Sequence, residues 1–109
     1  MANKARKYHS AESLTTSTST VTTDTTKVTL TFTPDANSTY VYLWNCDVSG
    51  GSVSYDTRVS LNNNAGTALC ASNWEIKDIT ADWATLSGMA FETFGASPTS
   101  QSITLSYVS

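Results

Sequence analysis

Histidine, cysteine and charged residues are scarce in this chain of 109 residues, which has one histidine, two cysteines and 14% charged residues. A usual structural zinc site takes four ligands from cysteine and histidine, more than this chain offers. A Ser–His or Cys–His nucleophilic pair would depend on His9, which lies in a stretch without a strand or helix pattern. We therefore expect no metal site, no cofactor and no nucleophilic active site.

Paired carboxylates are a further missing feature. The eight acidic residues that follow position 13 are scattered, and each sits beside a turn or at an outward strand position. A glycosidase needs two carboxyl groups that face each other across a cleft, and the spacing selects no such pair. Gly50-Gly51 is interpreted as a turn, because no phosphate-binding pattern surrounds it. These observations favour a protein that is not an enzyme, with no catalytic residues.

Long apolar runs and a signal peptide are also missing. No stretch approaches the length of a membrane span, and the positive charges near Met1 are not followed by an apolar segment. We therefore expect synthesis in the cytoplasm, no export by the standard route and no membrane partner. In that reducing compartment, Cys46 and Cys70 are expected to be two buried thiols rather than a disulfide.

Serine and threonine are abundant, and together they make up about a third of the chain. Threonine suits the pleated surface of a strand and serine suits turns, whereas good helix formers are scarce. Short apolar-alternating segments separated by turn signals predict six or more strands. The expected fold class is all-β, an antiparallel β-sandwich or jelly roll with an extended N-terminal arm. We place the arm at residues 1–26 and the sandwich domain at residues 27–109.

Residues 39–48 form the most apolar segment of the chain. Its side chains alternate between two sides, with Tyr40, Tyr42, Trp44, Cys46 and Val48 on one and Val41 and Leu43 on the other. Successive side chains of a strand point to opposite faces of the sheet. An apolar residue on each side is typical of a strand covered on both faces. This predicts a fully buried strand at the centre of the fold.

The other predicted strands alternate more simply and cover residues 27–33, 52–61, 67–77, 89–94 and 101–108. In the strand at 52–61, Ser60 is expected to face outward. The predicted inward positions of the first, second and last of these strands are Val28, Leu30, Phe32, Val53, Tyr55, Val59, Leu61, Ile103, Leu105 and Tyr107. Turn residues follow the first of them at 34–37, and residues 62–66 are a hairpin loop. Residues 78–87 are ambiguous, because their apolar positions fit a helical stripe while their threonines favour extended structure. We predict a long loop or irregular strand there, which places Trp83 over the edge of the core.

The arm carries half of the six lysine and arginine residues, with three of them against Glu12 in its first 13 positions. A basic arm on an acidic body suggests contact with an acidic partner, although a solubilising tail is the simpler interpretation. A nucleic-acid partner is not expected, because a large basic face with interleaved aromatics is missing. The candidate partner-binding residues of the arm are Lys4, Arg6, Lys7, Tyr8 and His9.

Two tryptophans provide an alternative function. Most aromatic residues share the inward side of predicted strands, but Trp74 and Trp83 lie in stretches with little pattern. An exposed aromatic ring is a common platform for a sugar ring. Trp74 and Trp83 are therefore candidates for a glycan-binding site, although packing in the core is the simpler interpretation of both.

Three sequence patterns resemble small β-sandwich structural proteins of tailed bacteriophages. They are TFTPDAN at residues 31–37, DTRV at 56–59 and ITLSY at 103–107. The likeness covers residues 27–109 and leaves out the arm.

This resemblance implies a virion component without enzyme activity. The first expectation is a capsid decoration (cement) protein that binds the major capsid protein or another virion protein through the arm. The alternative is a tail or head fibre, or a carbohydrate-binding module that recognises the host. The family also implies a homo-oligomer, with a trimer as the suspected state.

Overall fold

The computed structural model describes residues 8–16, 23–49, 56–75 and 83–108. Within these ranges every regular element is a strand. In chain order they are β1 (Thr25–Phe32), β2 (Thr39–Ser49), β3 (Asp56–Asn62), β4 (Ala68–Glu75), β5 (Trp83–Thr93) and β6 (Gln101–Val108). The all-β prediction is confirmed, and the last predicted strand matches β6 at both ends.

The strands form two antiparallel sheets in a sandwich-like arrangement. One sheet has four strands in the order β1-β6-β3-β4, and the other pairs β2 with β5. In the smaller sheet the pairing runs without a register shift from Thr39 opposite Thr93 to Ser49 opposite Trp83. The larger sheet places the N-terminal and C-terminal strands side by side, with Leu30 opposite Ile103.

Alternate residues of both sheets face a common core. The most buried positions are Val59 on β3 and Ile103 on β6, which are 1% and 2% exposed. The buried apolar cluster consists of Phe32, Tyr42, Val48, Val59, Leu61, Ala90, Ile103 and Leu105. The inward positions predicted within β1, β3 and β6 therefore belong to the core or to the half-buried residues packed on it. The predicted inward residues Val53 and Tyr55 lie outside the described residues.

Two turns follow the predicted turn chemistry. In the β3–β4 hairpin, the side-chain oxygen of Asn63 accepts hydrogen bonds from the backbone of Ala65 and Thr67, at 3.1 and 2.9 Å. Gly66 closes this hairpin with a φ of 83°, a left-handed conformation that glycine adopts without steric cost. The turn after β1 contains Asn37 with a φ of 53°, and asparagine tolerates this region better than most residues.

The prediction for β2 was correct in its alternation but wrong about burial on both faces. Tyr42 and Val48 are buried, whereas Val41 and Leu43 are 58% and 77% exposed. The strand lies in the two-stranded sheet and, among the described strands, pairs with β5 alone. An apolar residue on each side of a strand therefore did not mean that both sides are covered within one chain.

The prediction for residues 78–87 was also wrong in part. Residues 83–87 belong to β5, a regular strand that pairs with β2 along its full length, while residues 78–82 lie outside the described residues. Trp83 is 63% exposed and lies on the outward parity of β5, so it does not cover the edge of the core. Pairing with a long neighbouring strand overrode the weak local pattern.

Two buried serines, Ser60 on β3 and Ser106 on β6, lie on the opposite side of their strands from the core residues. Ser60 was predicted to face outward, yet it is 1% exposed. It lies on β3, between β6 and β4, and is paired with Ser106, which is 4% exposed. The Asn62 amide donates to Ser106 Oγ at 3.2 Å, which satisfies this buried hydroxyl.

Candidate functional site

The most unusual surface of the protein is the outward side of the β2–β5 sheet, which we call the outer face. Along each strand, alternate residues point away from the core. On β2 these include Val41 and Leu43, and on β5 they include Met89 and Phe91. All four are more than half exposed, at 58%, 77%, 62% and 66%.

The strand register joins these four side chains into one patch. Val41 lies opposite Phe91, and Leu43 lies opposite Met89. Directly opposed side chains in an antiparallel pair lie about 5 Å apart at Cβ. The two pairs are next to each other on the same side of the sheet, so they form a continuous apolar block. Trp83, opposite Ser49, adds a separate exposed ring at the far end of the face.

On the inward side of the same sheet, Trp44 is held in a narrow space. It lies opposite Gly88, and a Cβ atom on Gly88 would approach the indole Nε1 of Trp44 to 2.5 Å. The indole N–H donates to Cys70 Sγ on the other sheet, at 3.2 Å. Gly88 therefore leaves the space that the indole occupies between the sheets.

A buried tyrosine–carboxylate pair links β2 and β5 from the inward side. The Tyr42 hydroxyl donates to Glu92 Oε1 at 2.9 Å. Burial and then this hydrogen bond to a carboxylate raise the pKa of Tyr42 well above its usual value of 10.0. The neutral phenol is thus strongly favoured in the folded protein.

Replacing Tyr42 with phenylalanine is expected to reduce the pH dependence of stability in alkali. An unfolded tyrosine loses its proton near pH 10.0, whereas the folded pKa is higher, so the folded state keeps a proton that the unfolded state has lost. The stability contribution of this pair is therefore complete below about pH 10 and declines as the pH rises toward the folded pKa.

Urea unfolding of both proteins at pH 7 and pH 11 measures this effect. At pH 7 the variant should lose about 1–2 kcal/mol, because Glu92 loses its donor. At pH 11 the difference between the two proteins should be smaller than at pH 7. An equal difference at both pH values would contradict this account of Tyr42.

The N-terminal segment at residues 8–16 lies along its own domain. The His9 ring stacks on Phe32, with ring centroids 5.0 Å apart and an interplanar angle of 28°. The Lys27 ammonium donates to the backbone carbonyl of Thr15. Since Phe32 is the last residue of β1 and Lys27 is near its start, the segment runs alongside β1 in the opposite direction.

The predicted arm residues are not grouped together. Lys4, Arg6 and Lys7 lie outside the described residues. Tyr8 is 89% exposed, whereas the neighbouring His9 packs on the Phe32 ring of the core. Leu14, which the sequence did not single out, is 87% exposed on the same segment. The segment is thus fastened at two points and presents two large side chains to solvent.

The two candidate glycan-binding tryptophans lie in different environments. Trp74 on β4 is half-buried and packs against the core cluster. Trp83 begins β5 and is exposed on the outer face. Because Trp74 is on the inward parity of its sheet and Trp83 is on the outward parity of the other, they do not form one flat platform.

The two cysteines are free thiols, as predicted, but both are half-buried rather than buried. Burial, and next the carboxylate of Asp47, raise the pKa of the Cys46 thiol. A thiol that keeps its proton is a weak nucleophile, because the thiolate is the reactive form. Cys70 accepts the Trp44 hydrogen bond described above. Their positions favour packing roles for both side chains.

Among the residues that the structure describes, no three His, Cys, Asp or Glu side chains are grouped closely enough to hold a metal ion. Within the same ranges, there is no helix of the length and apolarity needed to cross a membrane.

Comparison with protein-family models, with curated proteins and with solved structures finds no match to this chain. The chain is a small all-β protein with two antiparallel sheets.

Sequence reasoning did not identify the outer face as a surface. It placed Val41 and Leu43 inside the fold, and it did not single out Met89 or Phe91. A usable signal was present in the two predicted strands at 39–48 and 89–94, which both carry large apolar residues on both sides. Two such strands in one small domain exceed what a two-layer core can cover.

Proposed function

We propose that this protein is a non-enzymatic structural component of a tailed-bacteriophage virion, assembled in the host cytoplasm. More specifically, we propose a capsid decoration (cement) protein that attaches to the head shell through its N-terminal arm. The observation that carries this proposal is the arrangement of residues 8–16. They are fastened to the domain through His9 and Thr15, while Tyr8 and Leu14 remain almost fully exposed.

This arrangement suits an attachment segment. Ordering a chain on binding costs roughly 1–2 kcal/mol per backbone residue. The contacts of His9 with Phe32 and of Thr15 with Lys27 already order the segment, so binding to a partner requires less loss of backbone entropy. Tyr8 is then an aromatic side chain that is 89% exposed, of a residue type enriched at the energetic centres of interfaces.

Charge supports the same assignment. Lys4, Arg6 and Lys7 immediately precede Tyr8, whereas the chain as a whole has a net charge of −3. A basic segment on an acidic body favours an acidic partner surface and speeds association with it. The resemblance of three sequence patterns to small phage β-sandwich proteins suggests that this partner is a virion protein, and we propose the head shell.

The proposal is tested with empty head shells assembled from the major capsid protein of the phage genome that encodes this chain, mixed with the protein and sedimented. A variant that lacks residues 1–8 removes the basic cluster and Tyr8 but keeps the stack of His9 on Phe32. We expect this variant to bind at least 10-fold more weakly while its thermal unfolding is unchanged. Tyr8→Ala should show part of the loss.

A matched control and a salt series complete the test. Thr31→Ala changes an exposed residue of β1 on the opposite side from Phe32, and should bind as the unmodified chain does. Binding through Lys4, Arg6 and Lys7 should also weaken as salt rises from 0.05 to about 0.5 M, because salt screens exposed charges. Undiminished binding after removal of residues 1–8 would reject arm attachment.

A fibre or host-recognition module is the second candidate, and the exposure of Trp83 favours it. An aromatic ring that is 63% exposed at the start of β5 is available to a sugar. Specific binding on a glycan array that is lost in Trp83→Ala would support this function over decoration. Gene position also separates the two, since a neighbouring major capsid gene favours decoration and neighbouring tail genes favour a fibre.

A further inference from the structure

The two outward sides of the sandwich differ sharply in chemistry. On the four-stranded sheet, the outward pairs between β1 and β6 are Thr29–Thr104 and Thr31–Ser102. On the two-stranded sheet, the corresponding positions hold the apolar block of the outer face. Monomeric proteins seldom expose contiguous apolar patches above a few hundred Å², and larger ones mark interaction sites. The outer face therefore has the character of an interaction surface.

The size of the outer face fits a protein–protein interface. The exposed surface of its four central residues is on the order of 500 Å², and Trp83 raises the total to about 700 Å². An interface of standard size buries roughly 800 Å² of accessible surface on each partner. Exposed polar residues around the block, namely Thr39, Asn45, Ser87 and Thr93, supply the remaining area. An apolar centre with a polar rim is the usual composition of such a surface.

Charge indicates which partner fits. β2 and β5 each point six side chains outward, and of these twelve Asp47 carries the single charge. Its carboxylate accepts a hydrogen bond from Thr85 Oγ1 at 2.6 Å. A symmetric contact brings the same patch of two copies together, so a strongly charged patch would repel itself. A nearly uncharged face meets no such penalty against a second copy of this chain.

We propose that two copies of this chain associate through their outer faces, with Leu43 and Phe91 near the centre of the contact. Stacked sheets of this kind pack with their strands aligned to within about 30°. The contact uses no residue of the arm, so it does not depend on the virion assignment. The dimer would cover the apolar block while leaving Tyr8 and Leu14 of both copies exposed.

Sedimentation velocity of the purified full-length chain between 1 and 200 µM tests the proposal. We expect a reversible dimer that is the main species at the highest concentration. Leu43→Lys and, separately, Phe91→Glu should each raise the dimer dissociation constant at least 100-fold, because each places a charge in an apolar contact. Thr29→Lys and Thr31→Glu make matched changes on the other sheet, and should leave the dissociation constant unchanged.

Hydroxyl-radical footprinting of the unmodified chain provides a test without mutation. Met89 and Phe91 should become at least threefold less reactive between 1 and 200 µM, while the reactivity of Tyr8 and Leu14 stays constant. A chain that remains monomeric at 200 µM would overturn the proposal. A dimer unaffected by both outer-face substitutions, or a trimer in place of a dimer, would also overturn it. Loss of shell binding on removal of residues 1–8 is a separate result that leaves the dimer intact.

Discussion

Replacing Phe32 with alanine is expected to lower the free energy of unfolding by about 3–5 kcal/mol, the usual cost of emptying the site of a buried aromatic ring. Phe32 is 6% exposed, and its ring lies within 5.0 Å of both the His9 and Tyr40 rings and within 6.4 Å of Phe94. A domain of this size is stable by about 5–15 kcal/mol, so the variant should be near the limit of folding.

Urea unfolding, followed by circular dichroism at low protein concentration, measures this loss. Phe91→Ala is the matched control, because it removes the same ring from a position that is 66% exposed, and should cost less than about 1 kcal/mol. His9→Ala removes one stacking partner and should cost about 0.5–1.5 kcal/mol. Equal losses for Phe32→Ala and Phe91→Ala would contradict the position of Phe32 in the core.

Gly88→Ala is expected to destabilise the protein by about 1–3 kcal/mol, the usual cost of overpacking a filled interior. In a strand, alanine would otherwise be favoured over glycine by roughly 0.5–1 kcal/mol, because it loses less backbone entropy on folding. The sign of the change therefore reports on the space beside the Trp44 indole. That ring can move aside only by giving up its packing and its hydrogen bond to Cys70.

Thermal or urea unfolding measures the stability of Gly88→Ala against that of the control variant Gly95→Ala. A Cβ at Gly95 meets no atom within 4 Å, so this substitution should be neutral or slightly stabilising. The double variant Gly88→Ala, Trp44→Leu should lose less unfolding free energy than the sum of the two single variants, because the indole that the new Cβ would meet is no longer present. A Gly88→Ala protein more stable than the unmodified chain would contradict the position of the indole.

The inward residues of β1, β3 and β6 could be predicted from sequence because each strand has one apolar side. Val59 and Leu105 follow the alternation, and both are buried. The turn at Asn37 and the hairpin closed by Gly66 could also be predicted, because few residues accept a positive φ. These features depend on local chemistry, which a single sequence contains.

The sequence signals an excess of large apolar residues in the two strands at 39–48 and 89–94, but it could not place them together on the outer face, because that depends on which strands become neighbours. Leu43 has the same local pattern whether its outward side is covered by a second layer or not. The pairing of β2 with β5 is between segments far apart in sequence, and no local signal encodes it. The close approach of Gly88 to Trp44 follows from that same pairing. Trp83 was misplaced for this reason as well.

The position of β6 in the larger sheet has a consequence for synthesis on the ribosome. β6 is the last of the described strands to be translated, yet it lies between β1 and β3. Until it emerges from the exit tunnel, the nascent chain cannot join β1 to the β3–β4 hairpin, and both leave an unpaired backbone edge open to other chains. The sheet therefore forms after translation of β6, and premature termination before residue 101 leaves an aggregation-prone fragment rather than a smaller sandwich.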